Sequence, residues 1–191
     1  MSELSLDIQK KADYWASSTA FDAKTKAEIK ALIESQDSDA LADRFYKNLS
    51  FGTGGMRGVM GAGTAFMNSY NIKKATASLA LYLKETFPGK ALSVALAFDS
   101  RTNSEAYAKT AASVLAAYGL KAYLCEQMRP VPMLSFMTRE FSCQAGICIT
   151  ASHNPPEYNG FKVYWQSGGQ LVPPHDKKIA DIYERISSYE E

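Results

Sequence analysis

Three short apolar runs, at residues 92–98, 120–124 and 145–149, are separated by longer stretches of helical periodicity, and that alternation leaves few architectures open. Strands spaced this widely cannot be closed by tight hairpins and must lie beneath helical crossovers. The reading is an α/β chain, a three-layer α/β/α domain with a mixed sheet. The connecting segments carry their own punctuation. Residues 71–87 read as a helix ended by Pro88-Gly89, residues 104–118 as a helix with Ser104 as N-cap and Gly119 as stop, and residues 132–141 as a helix opened by Pro132. A further strand is expected at 161–165 and a closing helix at 176–189.

Upstream of residue 50 the period changes. Leu4, Ile8, Ala12 and Trp15, then Ile29, Leu32 and Ile33, then Leu41, Phe45 and Leu49 recur at helical spacing, predicting three amphipathic helices separated by Ser, Asp and Thr caps. The chain of 191 residues therefore divides into a helical extension, 1–49, and the α/β/α domain, 50–191. Its 46% hydrophobic content suffices for one core with an appended segment. The apolar faces of the extension either pack on the body of the domain or form a partner interface. No internal repeat or low-complexity tract interrupts the pattern.

Chemistry concentrates where the run Ile147-Cys148-Ile149 meets Thr150-Ala151-Ser152-His153-Asn154-Pro155-Pro156. Paired prolines donate no backbone hydrogen bonds and disfavour helix before them, so the chain leaves the sheet abruptly at Ser152. A hydroxyl held at a strand end, over the crevice where open α/β sheets bind ligands, is a candidate nucleophile. The plainer alternative is a polar turn capped by Ser or Asn.

A second cluster is Phe51-Gly52-Thr53-Gly54-Gly55-Met56-Arg57-Gly58, with four glycines around one arginine. Glycines permit positive φ and close backbone approach, and a guanidinium is a fixed fork of donors suited to phosphate. Thr53, Gly54, Gly55 and Arg57 are thus candidate phosphate-binding residues, a solvated glycine-rich loop being the alternative. The segment is neither a P-loop nor a dinucleotide fingerprint, since both spacings fail and no convincing strand precedes it.

The net charge of +1 supplies no field for a polyanion, and no basic stripe argues for nucleic acid. No apolar stretch has membrane-spanning length and the amino terminus is polar, so a soluble, cytoplasmic protein is expected. Cys125, Cys143 and Cys148 lie in apolar surroundings and lack metal-ligand spacing with His153 and His175. A serine hydrolase is disfavoured because G-x-S-x-G is absent and Ser152 directly precedes His153.

Together these segments resemble the α-D-phosphohexomutase superfamily, nearest its phosphoglucomutase/phosphomannomutase branch. The resemblance runs through F-G-T-G-G-M-R-G at 51–58, Gly61-Ala-Gly63-Thr64, Ala97-Phe-Asp99-Ser100-Arg101, Arg129-Pro130-Val-Pro132-Met-Leu-Ser135-Phe136, T-A-S-H-N-P-P-E-Y-N-G-F-K-V-Y at 150–164 and Gly168-Gly169-Gln170-Leu171. It implies phosphoryl transfer through phosphorylated Ser152, interconverting hexose 1-phosphate and 6-phosphate by way of a bisphosphorylated sugar. Glucose 1,6-bisphosphate or a related hexose bisphosphate is the implied activator. A stored phosphoserine splits a transfer between distant hydroxyls into two in-line steps.

The same resemblance assigns roles. Arg57 neutralises charge on the transferring group and Lys162 acts as general acid/base, provided its surroundings lower its pKa. His153 orients the loop or relays a proton, because adjacent side chains on an extended segment point apart and disfavour direct contact with Ser152. Thr150 and Asn154 fix the loop through backbone hydrogen bonds, with Asn154 also beside the phosphate. Asp99 and Arg101 pair with each other or buttress the site. Mg2+ is implied, with the phosphoryl group on Ser152 as one ligand and the others on a carboxylate loop this chain lacks. The chain is accordingly expected to be domain I of a four-domain enzyme, inactive alone, whose partners are sugar phosphates and the remaining domains. Phosphopentomutase, sugar-bisphosphate synthase and a non-catalytic anion-binding module are the alternative readings.

Overall fold

The computed structural model describes residues 5–189. The extension folds as α1 (Leu6–Ser17), α2 (Ala23–Glu34) and α3 (Ser38–Phe45). Each begins at an oxygen-bearing cap: Ser5, Asp22 and Asp37 accept from the amides of Ile8, Thr25 and Ala40, satisfying N–H groups that have no partner inside the helix. The three helices enclose a small core of their own. Trp15 stacks on Phe21 at 4.2 Å between ring centres, with Ile29, Leu41 and Phe45 around them. Ala62 and Tyr70 of the main domain complete this cluster, so the extension packs on the body through a separate apolar seam. Tyr70 fastens it, its hydroxyl donating to Asp22 Oδ2 at 2.9 Å and accepting from the Asp22 amide at 2.7 Å.

The domain is built on five strands, β1 (Gly55–Val59), β2 (Ser93–Phe98), β3 (Lys121–Leu124), β4 (Ala145–Ile149) and β5 (Tyr158–Trp165), in the order β1-β5-β4-β2-β3. β2 is parallel to β3 and β4, while β5 is antiparallel to both β4 and β1, giving the mixed sheet. Alternation along the strands assigns the faces. Val94, Leu96, Ile147 and Phe161 enter the main core beneath α4 (Ser69–Thr86), α5 (Ser104–Ala117) and α7 (His175–Arg185). Ala95, Ala97, Cys148 and Tyr164 face the other way, where Leu134 of α6 (Val131–Glu140) covers them. α6 lies close to the sheet at Gly146, where a Cβ would meet Thr138 Oγ1 at 2.5 Å.

Several boundaries differ from the sequence reading. β1 was not expected, and β5 begins at Tyr158 rather than residue 161 because it is held between β4 and β1. α7 stops at Arg185, since Ile186 takes an extended conformation. The cap of α5 is Asn103, at φ +65°, and not Ser104, whose hydroxyl instead donates to Asp99 Oδ1 at 2.6 Å. Among the described residues no helix is long and apolar enough to cross a membrane.

Topology then fixes where a ligand can sit. The chain leaves β2 through α5 to reach β3 at one edge, then returns over the opposite face through α6 to β4 on the other side of β2. The loops after β2 and β4 therefore diverge from neighbouring strand ends, the arrangement that opens a crevice at the carboxyl edge of a sheet.

Candidate active site

Ser152 stands in that crevice. The chain turns sharply after β4: the Ser152 amide donates to Thr150 Oγ1 at 3.0 Å and the Asn154 amide to the Ala151 carbonyl at 3.2 Å. Ser152 itself lies at φ +58°, the left-handed region that a β-carbon disfavours, and its side chain is exposed. Because the segment is turned and not extended, the premise that separated Ser152 from His153 fails. Ser152 Oγ lies 3.5 Å from His153 Nδ1, the outer limit of a hydrogen bond.

Arg101, in the loop after β2, reaches under the serine loop. Its Nη1 donates to the carbonyls of Pro155 at 2.8 Å and Tyr158 at 3.0 Å, and its Nη2 to those of Ser152 at 2.9 Å and Asn154. Asp99 Oδ2 lies 3.6 Å from Arg101 Nε, so the expected Asp99–Arg101 pair forms and also buttresses the loop. Asn159, fully buried, ties the two loops together by donating to the Thr102 carbonyl and Ser104 Oγ, both at 3.0 Å. Asp99 and Arg101 line, and Asn159 underlies, an open depression of about 450 Å³ also bounded by Ser100, Thr102, Ser152, Asn154 and Pro156.

The glycine-rich segment reaches the site at one residue. β1 pairs with β5 so that Arg57 opposes Gly160, near the crest, and Arg57 Nη1 donates to Asn154 Oδ1 at 2.8 Å. Thr53, Gly54 and Gly55 run the other way, down the strand and away from Ser152. Gly55 opposes Lys162, the Gly54 carbonyl accepts from Val163, and Thr53 Oγ1 donates to Asp176 Oδ2 at the start of α7. From Arg57 to Gly54 is about 10 Å of strand. The amides of Gly52 and Gly55 are used within the turn itself, bonding across to each other's carbonyls. Gly55 is glycine because a Cβ there would lie 1.9 Å from the Phe161 carbonyl oxygen. A Cβ on Gly54 would meet the Gln170 side chain, so both glycines stand where the chain packs closely, and Thr53, Gly54 and Gly55 lie below Arg57, with Gly55 level with Lys162.

Lys162 sits on β5 between Gly55 of β1 and Cys148 of β4, two residues, or about 7 Å, from Gly160, whose carbonyl accepts the Thr150 amide. It is half-buried and, among the described residues, no carboxylate pairs with it. Cys148 beside it is held as a thiol. Burial first, and then Asp99, push its pKa up to about 12 although Lys162 pulls the other way.

Among the described residues the donors do not make a magnesium site. Among the described residues no group of three or more His, Cys, Asp or Glu could hold a metal, and Asp99 is already engaged by Arg101 and Ser104. The phosphoryl group that Ser152 could carry would be one ligand of a set that needs several more oxygens.

The comparisons with known proteins agree with this geometry. Residues 48–190 match the family described as phosphoglucomutase/phosphomannomutase, alpha/beta/alpha domain I. A Schizosaccharomyces pombe protein named "Probable phosphoribomutase" is 38% identical over 165 residues, covering 86% of this chain and 28% of its own length. A Staphylococcus saprophyticus phosphoglucomutase is 38% identical over 160 residues, covering 84% of this chain and 29% of its own. A crystal structure from Thermus thermophilus, provisionally named a phosphomannomutase, superposes with a TM-score of 0.66 at 30% identity over 72% of this chain and 30% of that one. The chain thus spans under a third of the length of the relatives it matches. Family match, relatives and strand-end serine converge, and the chain belongs to the phosphoglucomutase/phosphomannomutase family as its α/β/α domain I.

Proposed function

We propose that this chain is the serine-bearing domain of a phosphomutase that interconverts sugar 1-phosphates with their terminal phosphates through phospho-Ser152 and a sugar bisphosphate. The observation that carries the reading is the Ser152 hydroxyl, exposed at the carboxyl crest on a loop whose Asn154 is bonded to Arg57. In the forward half-reaction the free hydroxyl of the sugar phosphate attacks the phosphorus on Ser152. A new P–O bond forms, the P–Oγ bond breaks, and the proton lost by the sugar hydroxyl balances the one gained by Ser152 Oγ. Lys162 is the candidate that relays it, and Arg57 the group that neutralises the equatorial oxygens. His153, beside Oγ, orients the hydroxyl. The second half-reaction returns the other phosphoryl group to Ser152 after the sugar has turned over.

Magnesium would supply charge neutralisation at the phosphoryl group, with no group of carboxylates among the described residues to complete its ligand set. Similarity does not rank the sugars, because the relatives named for ribose and for glucose are each 38% identical. Hexose mutase, pentose mutase and bisphosphate synthase therefore share one serine chemistry, read by parts of the relatives beyond the matched segment. The three unpaired thiols suit a reducing compartment, and the cytoplasm is the location proposed.

The test is peptide-mapped phosphorylation after incubation with glucose 1,6-bisphosphate and Mg2+, on this chain and on the longer protein, with Ser152→Ala as control. Phosphate on Ser152 of the longer protein and little on the chain alone is the expected result. No phosphate on Ser152 in a folded longer protein removes the phosphoserine mechanism and favours a non-catalytic anion-binding module. Turnover assays with glucose, mannose and ribose 1-phosphates then assign the sugar.

A further inference from the structure

Two arginines meet the serine loop, and they meet it in opposite ways. A guanidinium has five N–H donors and no acceptor. All four terminal N–H groups of Arg101 are matched by backbone carbonyls, those of Ser152, Asn154, Pro155 and Tyr158, and its Nε faces Asp99. Its side chain is 15% exposed. Arg57 lends one N–H, to Asn154 Oδ1, and among the described residues its remaining N–H groups have no partner. Its residue is exposed.

We infer that Arg101 is a positioning residue that holds the Ser152 loop in its left-handed turn and contributes no N–H to a phosphoryl group, leaving Arg57 as the loop's anion-binding arginine. The inference extends the phosphoserine reading, although its structural half stands without it. The paired prolines explain why a side chain must do this work. Pro155 and Pro156 donate nothing, so within the loop only the amides of Asn154, to Ala151, and Tyr158, to Pro155, close it on its own backbone. Four carbonyls converging on one cation supply the missing order. A trans peptide also sets N–H opposite C=O, so drawing the Ser152 carbonyl toward Arg101 turns the His153 amide away from it. Asp99 fixes the guanidinium in turn, and through Ser104 Oγ and Asn159 joins it to the start of β5.

The diagnostic variant is Arg101→Lys, because an ammonium keeps the charge but offers three donors on one nitrogen and cannot span four carbonyls. In this chain, amide hydrogen exchange at residues 152–158 should rise roughly tenfold in Arg101→Lys while exchange in β2 and β4 stays unchanged. Arginine side-chain NMR of the unmodified chain, titrated with inorganic phosphate, supplies a measurement that no misfolded variant can spoil. The Arg57 Nε–H resonance should move and that of Arg101 should not. A shift at Arg101, none at Arg57, or unchanged loop exchange in a folded Arg101→Lys overturns the inference. In the longer protein, Arg101→Lys should lower kcat roughly tenfold or more with KM for the sugar phosphate unchanged. A raised KM with unchanged kcat in Arg101→Lys would mean that Arg101 binds substrate, against the inference. Should the unmodified longer protein take no phosphate on Ser152 while exchange and resonance shifts behave as expected, the phosphoserine reading fails and the positioning role remains.

Discussion

Ser152 occupies its left-handed conformation at a cost, since a β-carbon there is disfavoured by roughly 1–2 kcal/mol. Ser152→Gly should therefore be more stable than Ser152→Ala by about 1 kcal/mol in urea unfolding, although both lose the hydroxyl. Equal stabilities would mean that the turn relaxes when the side chain is removed. Gly55 tests the other close approach. A Cβ 1.9 Å from the Phe161 carbonyl oxygen, at φ +130°, cannot be accommodated without separating β1 from β5. Gly55→Ala should lose about 3 kcal/mol or more by the same measurement, and a loss below about 1 kcal/mol would show that the edge strand shifts freely.

Among the elements, α1, α2 and α3 form a unit with its own aromatic centre. Trp15, 1% exposed, touches Phe21, Phe45, Tyr70 and Tyr189, so Trp15→Ala should cost about 3–5 kcal/mol. Hydrogen exchange should then show these helices losing protection while β2, β3 and β4 keep theirs; uniform loss would mean that the two cores unfold as one. Acid should act on the same seam. The Thr25 amide holds the Asp22 carboxyl below its ordinary value of 3.8, opposed next by burial and reinforced by the Tyr70 hydroxyl. A depressed folded pKa stabilises fully above the unfolded value and is lost as pH falls through the folded one. Asp22→Asn keeps the cap oxygen but not the charge, and should flatten the acid limb of a stability-against-pH curve below about pH 4. The element level also shows what sequence could carry. β2 and β4 are legible because they are apolar runs buried on both faces, and β3, a half-buried edge strand, because its short run directly follows the Gly119 helix stop. β1 is not, because its glycines suit any loop and become a strand only through β5, far along the chain. The site divides likewise: Ser152, Arg57 and Asn154 stand at the crest, and Lys162 two residues below it opposite Gly55, all in motifs that sequence displays. The four carbonyls gathered by Arg101 have no sequence signature, since main-chain atoms accept the bonds. Thr53, Gly54 and Gly55 adjoin Arg57 in sequence, and strand geometry sets Gly55 opposite Lys162, two residues below the level of Arg57.

For the whole molecule, the serine, Arg57 and Lys162 are present without a metal-binding cluster of carboxylates among the described residues. The 191-residue chain should fold and bind inorganic phosphate, yet show no detectable conversion of glucose 1-phosphate under conditions where the longer protein turns over. Measurable turnover by the chain alone would mean that its own residues complete the catalytic set. The order β1-β5-β4-β2-β3 has one further consequence, for synthesis on the ribosome. β1 emerges before every other strand, yet its pairing partner in the sheet is β5, the last to be made. At translation rates of roughly 5–20 residues per second, β1, which carries Arg57, waits on the order of 5–20 s for residues 158–165. During that interval it is a strand without its sheet partner, a natural place for chaperone contact. Arg57 can approach the serine loop only as β5 is inserted, so its bond to Asn154 is a late event on the nascent chain.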